Sequence, residues 1–203
     1  MPALSAKLKN IKQPVAPSYK LRPELLLHPN VPKALHGVAP RVVLGQAWWD
    51  RERRATYKQA EFFCQACGTH KYQAKYHKWL EAHEQYEIDY QKGRAKYVGA
   101  VALCHFCHCY IHSGRLQALL EKGEIHHHKF SAIHQHGDAV LAAGGLKRDA
   151  HEVREAMVQD LIRNGRMAEW SQWRLRIGRN LYKPLYASMQ EWEQAMSGKV
   201  EEE

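Results

Sequence analysis

Cys64-Gln65-Ala66-Cys67-Gly68 and Cys104-His105-Phe106-Cys107 are two C-x2-C knuckles with 36 residues between them, and they decide how the rest of the chain is read. Two such turns bring four thiolates into the tetrahedron that Zn2+ prefers, with bonds of about 2.3 Å. A shell closed by four sulfurs leaves no position for a substrate. The expected ion is therefore structural, and chemistry is expected elsewhere. A redox dithiol would not need the second pair, and no βαβ pattern surrounds either one. Cys109, the fifth cysteine, is expected to be a bystander thiol.

The residues between the knuckles read as two short strands, around 78–84 and 97–103, separated by a polar stretch containing Gly93. Strand alternation puts Trp79, Glu81 and His83 on one face and Leu80 and Ala82 on the other, delivering His83 at a strand end. After Cys107 the pattern turns helical through Ile111 and Leu116 towards Leu120. On that helix His108 and His112 are four residues apart and share a face, a separation from which two imidazoles can grip one ion.

Leu80-Glu81-Ala82-His83-Glu84, together with Ala102-Leu103-Cys104-His105-Phe106-Cys107-His108-Cys109-Tyr110-Ile111-His112, resembles the first-strand motif and second knuckle of the HNH endonucleases of the His-Me finger group. The resemblance spans roughly residues 60–115, about a quarter of the chain. It implies a ββα fold and metal-dependent hydrolysis of DNA phosphodiester bonds, in a cytoplasmic protein of prokaryotic or phage origin. It also implies that His108 and His112 hold one divalent catalytic ion. Mg2+, Mn2+, Ni2+, Co2+ and Zn2+ are candidates, and two imidazoles lean away from Mg2+.

Two registers of the motif remain open. In one, His83 is the general base and Ala82 stands where a ligand has been lost; in the other, His83 binds the ion and Glu84 is the base. The chemistry is coherent in either, because a cation relieves the charge that develops on a phosphate and its leaving oxygen. An imidazole with a pKa near about 6.5 can accept a proton at neutral pH. Where the family has its middle asparagine, this chain has Gly99, so the residue that braces the loop bearing the base is missing. Rival readings are a catalytically degenerate, zinc-containing nucleic-acid-binding module and a zinc-stabilised scaffold for protein contacts.

The formal charge of +9 favours a polyanionic partner, DNA or another nucleic acid. Residues 1–63 hold 11 Lys/Arg against 4 Asp/Glu, residues 64–115 hold 7 against 4, and residues 116–203 hold 12 against 13. The excess thus lies in the first 115 residues, where Arg51, Arg54, Lys78 and Arg115 are the candidate phosphate contacts. No apolar run approaches the ~18–20 residues of a membrane span, and Met1 to Asn30 lacks the apolar core and small-residue cleavage site of a secretory signal, so a soluble intracellular protein is expected. A homodimer is compatible with the sequence.

The expected fold class is α+β in three segments: a basic, extended arm over 1–43, a zinc-stapled ββα core over 44–122, and a mainly helical extension over 123–203. Seven of the eight prolines fall in the first 40 residues, among Lys7, Lys9, Lys12, Lys20, Arg22 and Lys33, which disfavours helix and sheet interior there. A helix over 44–63 should bury Trp48, Ala55, Tyr57 and Phe62. Further helices are expected near 129–143 and 150–164, then a strand carrying Trp173, Leu175 and Ile177, then a last helix capped by Ser188 and Glu191. Trp170, Trp173, Arg174, Arg176, Arg179, Tyr182, Lys183 and Tyr186 interleave aromatic and basic residues, a mixture suited to stacking on bases or to an ordinary hairpin. The run His126-His127-His128 is expected to be solvated, and Glu201–Glu203 to fray.

Overall fold

The computed structural model describes residues 16–147 and 149–198, without the side chains of 148–155 and 197–198. Lys7, Lys9, Lys12 and the terminal glutamates fall outside the described residues. Two 3-10 turns, Pro23–Leu27 and Lys33–Leu35, lead into α1 (Pro40–Val43) and α2 (Gln46–Gln59). The first knuckle is followed by β1 (Glu81–Asp89) and β2 (Arg94–Leu103). The second knuckle opens α3 (His105–Ile111), and α4 (Ser113–Glu121), α5 (His127–Ala143) and α6 (Asp149–Arg163) follow. The chain ends through β3 (Arg174–Ile177), β4 (Asn180–Tyr182) and α7 (Met189–Gly198). The fold is α+β, with one mixed sheet in the order β1-β2-β3-β4 among the described residues.

β1 and β2 form an antiparallel hairpin, and β3 joins β2 in parallel. β1 begins later than the alternation predicts. Trp79 stays 56% exposed and stacks on His77 at 4.1 Å, so pairing starts only at Glu81. His83 is consequently the third residue of its strand and not at its end. Further along, the register jumps from Gln85↔Gly99 to Tyr86↔Tyr97, leaving Val98 as the extra residue of a bulge. Gly99 takes φ +136°, backbone that a side chain at Cβ disfavours. Glycine at this position therefore has a conformational reason.

From residue 16 onwards, the described part of the basic arm departs from the extended form expected of it. Proline fits the first position of a helical turn because its missing N–H has no partner there, and Pro23 opens a 3-10 turn. Leu25, Leu26 and Leu27 are buried in one core with Ala60, Cys64, Cys107, Ile133 and Leu141. Each such leucine contributes roughly 1.5–3 kcal/mol of burial, so this part of the arm is held as firmly as a core helix. Ala34, Leu35 and Val38 enter a second core with Tyr86, Ala95, Trp173, Leu175 and Ile177.

In α2 the buried residues are Trp49 and Thr56, with Ala60 just beyond. Ala55 faces solvent, because the inward stripe runs one position away from the predicted one. The helix expected from Cys107 to Leu120 is two helices, broken at His112, whose ψ of +48° is not helical. α5 packs on α3 at Gly137, where an added Cβ would lie 2.1 Å from the Tyr110 ring. Asp138, next along, accepts a 2.7 Å hydrogen bond from the Tyr110 hydroxyl.

Candidate functional site

The first knuckle is tied to the strand that leads into the second. Gln65 donates its backbone N–H to Ala102 O at 2.9 Å, and its side-chain oxygen accepts the Ala102 N–H at 2.8 Å. Gly68 closes the knuckle on Cys64 O at 2.8 Å with φ +75°. The sulfurs of Cys64, Cys67, Cys104 and Cys107 all lie within 4.8 Å of one another, close enough to hold a metal ion. Cys67 Sγ and Cys104 Sγ are 3.7 Å apart, against the ~3.8 Å edge of a tetrahedron with 2.3 Å bonds. The arrangement is thus consistent with a structural zinc. Burial pushes the Cys64 thiol well above its ordinary range, whereas hydrogen bonding with Cys104 and Cys107 holds Cys67 down. His136 on α5, which carries no motif signal, sits 3.3 Å from Cys107 Sγ through Nε2.

A second cluster stands apart from the sulfurs. His83 from β1 meets His108 of α3 and His112 at the α3–α4 break, with one ligand atom from each ring within 4.8 Å of the others. The ring centroids of His83 lie 5.5 Å from those of His108 and 5.0 Å from His112, and the two helix imidazoles are 4.7 Å apart. His112 still makes the helical N–H bond to His108 O at 3.3 Å, so the two rings stay one turn apart on the face towards His83.

Glu81, two residues before His83 on the same face of β1, accepts hydrogen bonds from His105 Nδ1 at 2.8 Å and His108 Nδ1 at 2.5 Å. Burial opposes its ionisation, but the two imidazoles outweigh burial and hold the carboxyl well below the usual range. A carboxylate on Nδ1 fixes the tautomer that leaves His108 Nε2 as the lone pair. Glu81→Gln should therefore weaken binding of a divalent ion at the imidazoles by about 10- to 100-fold while leaving the cysteine-bound ion in place. Isothermal titration of Mn2+ into both proteins checks this, and equal affinities would contradict it.

His28, which no motif marks, also reaches the imidazole cluster. The arm carries it to His83, with His28 Nδ1 3.3 Å from His83 Nε2, while the Tyr86 N–H donates to His28 Nε2 at 3.0 Å. A neutral His28 that accepts at Nε2 carries its proton on Nδ1 and donates it to His83. His83 then bears its own proton on Nδ1, which is buried without a hydrogen-bond partner. His28 can instead accept from His83, leaving the lone pair on His83 Nδ1, only by moving its proton to Nε2 and giving up the Tyr86 N–H. The His28–His83 contact thus sets what His83 presents to the site.

His28, His83, Glu84 and His112 line a cavity of 620 Å3 together with Lys33, Arg41 and Arg115. Glu84 reaches that cavity without joining the imidazole cluster. Of the candidate phosphate contacts, Arg115 lies at the cavity, whereas Arg51, Arg54 and Lys78 are exposed elsewhere on the surface. Cys109 lies 3.5 Å from His105 Nε2, and the thiol together with Glu81 raises His105 to about 9.

Burial, reinforced by the neighbouring imidazoles, pushes His83 down to about 2; burial and the charges of His108 and Arg115 push His112 down to about 4. Both rings are neutral at pH 7, the state in which imidazole binds metal. The sign of the linkage follows. Below pH 6.5 the unfolded chain takes up protons that the folded rings refuse, so stability falls from pH 6.5 towards 4, and for His83 still lower. For His112 this is on the order of 3 kcal/mol. Urea midpoints at pH 7 and 4.5 should show a shallower decline in His112→Gln than in the parent, and equal declines would contradict the assignment.

No helix among the described residues is long and apolar enough to cross a membrane. No known family model, curated protein or solved structure matches the chain.

Proposed function

We propose that the chain is a metal-dependent endonuclease of the HNH type, hydrolysing DNA phosphodiester bonds at the imidazole cluster while a zinc on the four cysteines holds the fold. The convergence of His83, His108 and His112 beside a basic cavity carries this reading. A divalent ion there would polarise a non-bridging phosphate oxygen and stabilise the leaving alkoxide. His108 and His112 would hold it, with Glu81 orienting His108. Arg115, Arg41 and Lys33 would draw in the phosphate. Water attacks phosphorus as one P–O ester bond breaks, and its proton passes to His83 or Glu84, both of which face the cavity. His83 can take it only in the state where His28 accepts, because Nδ1 then carries the lone pair.

Two observations favour a second reading, a nucleic-acid-binding module that has lost the reaction. Gly99 stands in a bulge where the resemblance calls for a bracing asparagine, and the Tyr86 N–H favours the His28 state that leaves a proton on His83 Nδ1. Incubating supercoiled plasmid with the protein and Mg2+, Mn2+, Ni2+ or Co2+ separates the two. Nicked or linear product with any of these ions, abolished by chelation, supports the nuclease. Binding without product under every ion supports the module.

A further inference from the structure

Away from the cavity, the sheet exposes a face that neither the zinc staple nor the imidazoles use. In the parallel β2–β3 pair, Arg94 lies opposite Arg174 and Lys96 opposite Arg176, with Ala95 and Leu175 between them. Alternation sends Ala95 and Leu175 into the core, where they are buried, and turns the four cations outwards together. Arg179, in the β3–β4 turn, borders the same shallow concavity of 480 Å3.

Like charges directly opposite one another destabilise a sheet, and here two such rungs are adjacent. Neighbouring carboxylates offset Lys96 alone among the four. Glu87 pairs with Lys96 at 2.9 Å, and Asp89 is taken by Lys92, through its backbone N–H at 2.9 Å and its ammonium at 3.5 Å. Among the described residues no carboxylate comes within ion-pair distance of Arg94, Arg174, Arg176 or Arg179. Backbone carbonyls orient two of these guanidinium groups without neutralising them: Arg174 donates to Ser171 O and Trp173 O, and Arg176 to Gly178 O.

We infer that this outward face of β2 and β3 docks the phosphodiester backbone of a nucleic acid, gripping phosphates and not bases. Guanidinium forks match phosphate oxygens two at a time, which lysine does not do. The aromatic residues nearby are otherwise engaged. Trp173 is 1% exposed in the core, and Trp170 and Tyr182 pack against that core. Without a stacking platform, binding here is insensitive to sequence and steeply dependent on salt. The face needs no catalytic ion, so the inference goes beyond the hydrolytic reading.

Fluorescence anisotropy with a short DNA duplex, in buffer lacking added divalent ions, tests it. Arg94→Glu/Arg176→Glu should bind at least about tenfold more weakly than the parent, with a salt slope smaller by about 2, as for two lost phosphate contacts. Arg94→Gln/Arg176→Gln serves should charge reversal disturb the fold, and circular dichroism of each variant verifies folding. The assay reads binding without a divalent ion, so loss of plasmid cleavage alone leaves the face standing. Unchanged affinity and slope in a folded variant overturn the inference, even if plasmid is cut. So does a face that ignores DNA but binds a polyglutamate peptide, which would mark an acidic protein partner.

Discussion

Cys104→Ser should yield a protein that retains no zinc and lacks a cooperative unfolding transition. A four-sulfur zinc site supplies about 10–16 kcal/mol of apparent binding energy, whereas a whole domain is stable by only about 5–15 kcal/mol. Serine preserves the size of the side chain but offers a poor ligand, so the effect isolates coordination from packing. The loss should spread well beyond the knuckles. Cys64 and Cys107 lie in the same core as Leu25–Leu27 of the arm and Ile133 and Leu141 of α5, so releasing the staple loosens both ends of that layer. Elemental analysis and circular dichroism read the result. A folded, zinc-free Cys104→Ser protein would remove the staple from any description of this chain.

His83→Ala should reduce metal-dependent plasmid cleavage by about 100- to 10,000-fold, the range for removing a positioned proton-transfer group or its equivalent at a metal site. Its fold should survive. His83 is 5% exposed, but its Nδ1 has no hydrogen-bond partner, so truncation discards a polar group whose burial already carries a cost. Single-turnover rates compared at equal retained zinc separate chemistry from unfolding. An unchanged rate would show that neither assignment of His83, as base or as ligand, is correct.

Local spacing makes some of this legible in the sequence. Two C-x2-C turns define a four-sulfur cluster wherever the chain between them folds back, and Gln65 clamping Ala102 is the device that folds it. Period-two alternation in Trp173, Leu175 and Ile177 correctly marks an inward stripe, since all three are buried. Its pairing partner was not legible, because a parallel strand can come from anywhere in the chain; β3 finds β2 across some 70 residues. The arm misled for a physical reason. Proline density argues against long helix and interior strand, but it permits the short 3-10 turns that bury Leu25–Leu27 and carry His28 to His83.

The imidazole cluster was partly legible. Helical spacing places His108 and His112 on one face, and the His112 N–H bond to His108 O keeps that spacing up to the end of α3. Glu81 as an orienting carboxylate was within reach of alternation, which put it on the face of His83. His136 and His28 were not, because each arrives from a distant segment through tertiary packing alone. The aromatic and basic tail divides in a way that composition could not foresee: its tryptophans serve packing, and its arginines face solvent.

The most direct test of a second ion, held by imidazoles on a sulfur-stapled scaffold, is the metal content per chain after equilibration with Mn2+ and removal of the excess. The parent should retain about one zinc and about one manganese, and His108→Ala/His112→Ala should keep the zinc and lose the manganese. One zinc and no manganese in both proteins would contradict the proposal at its root.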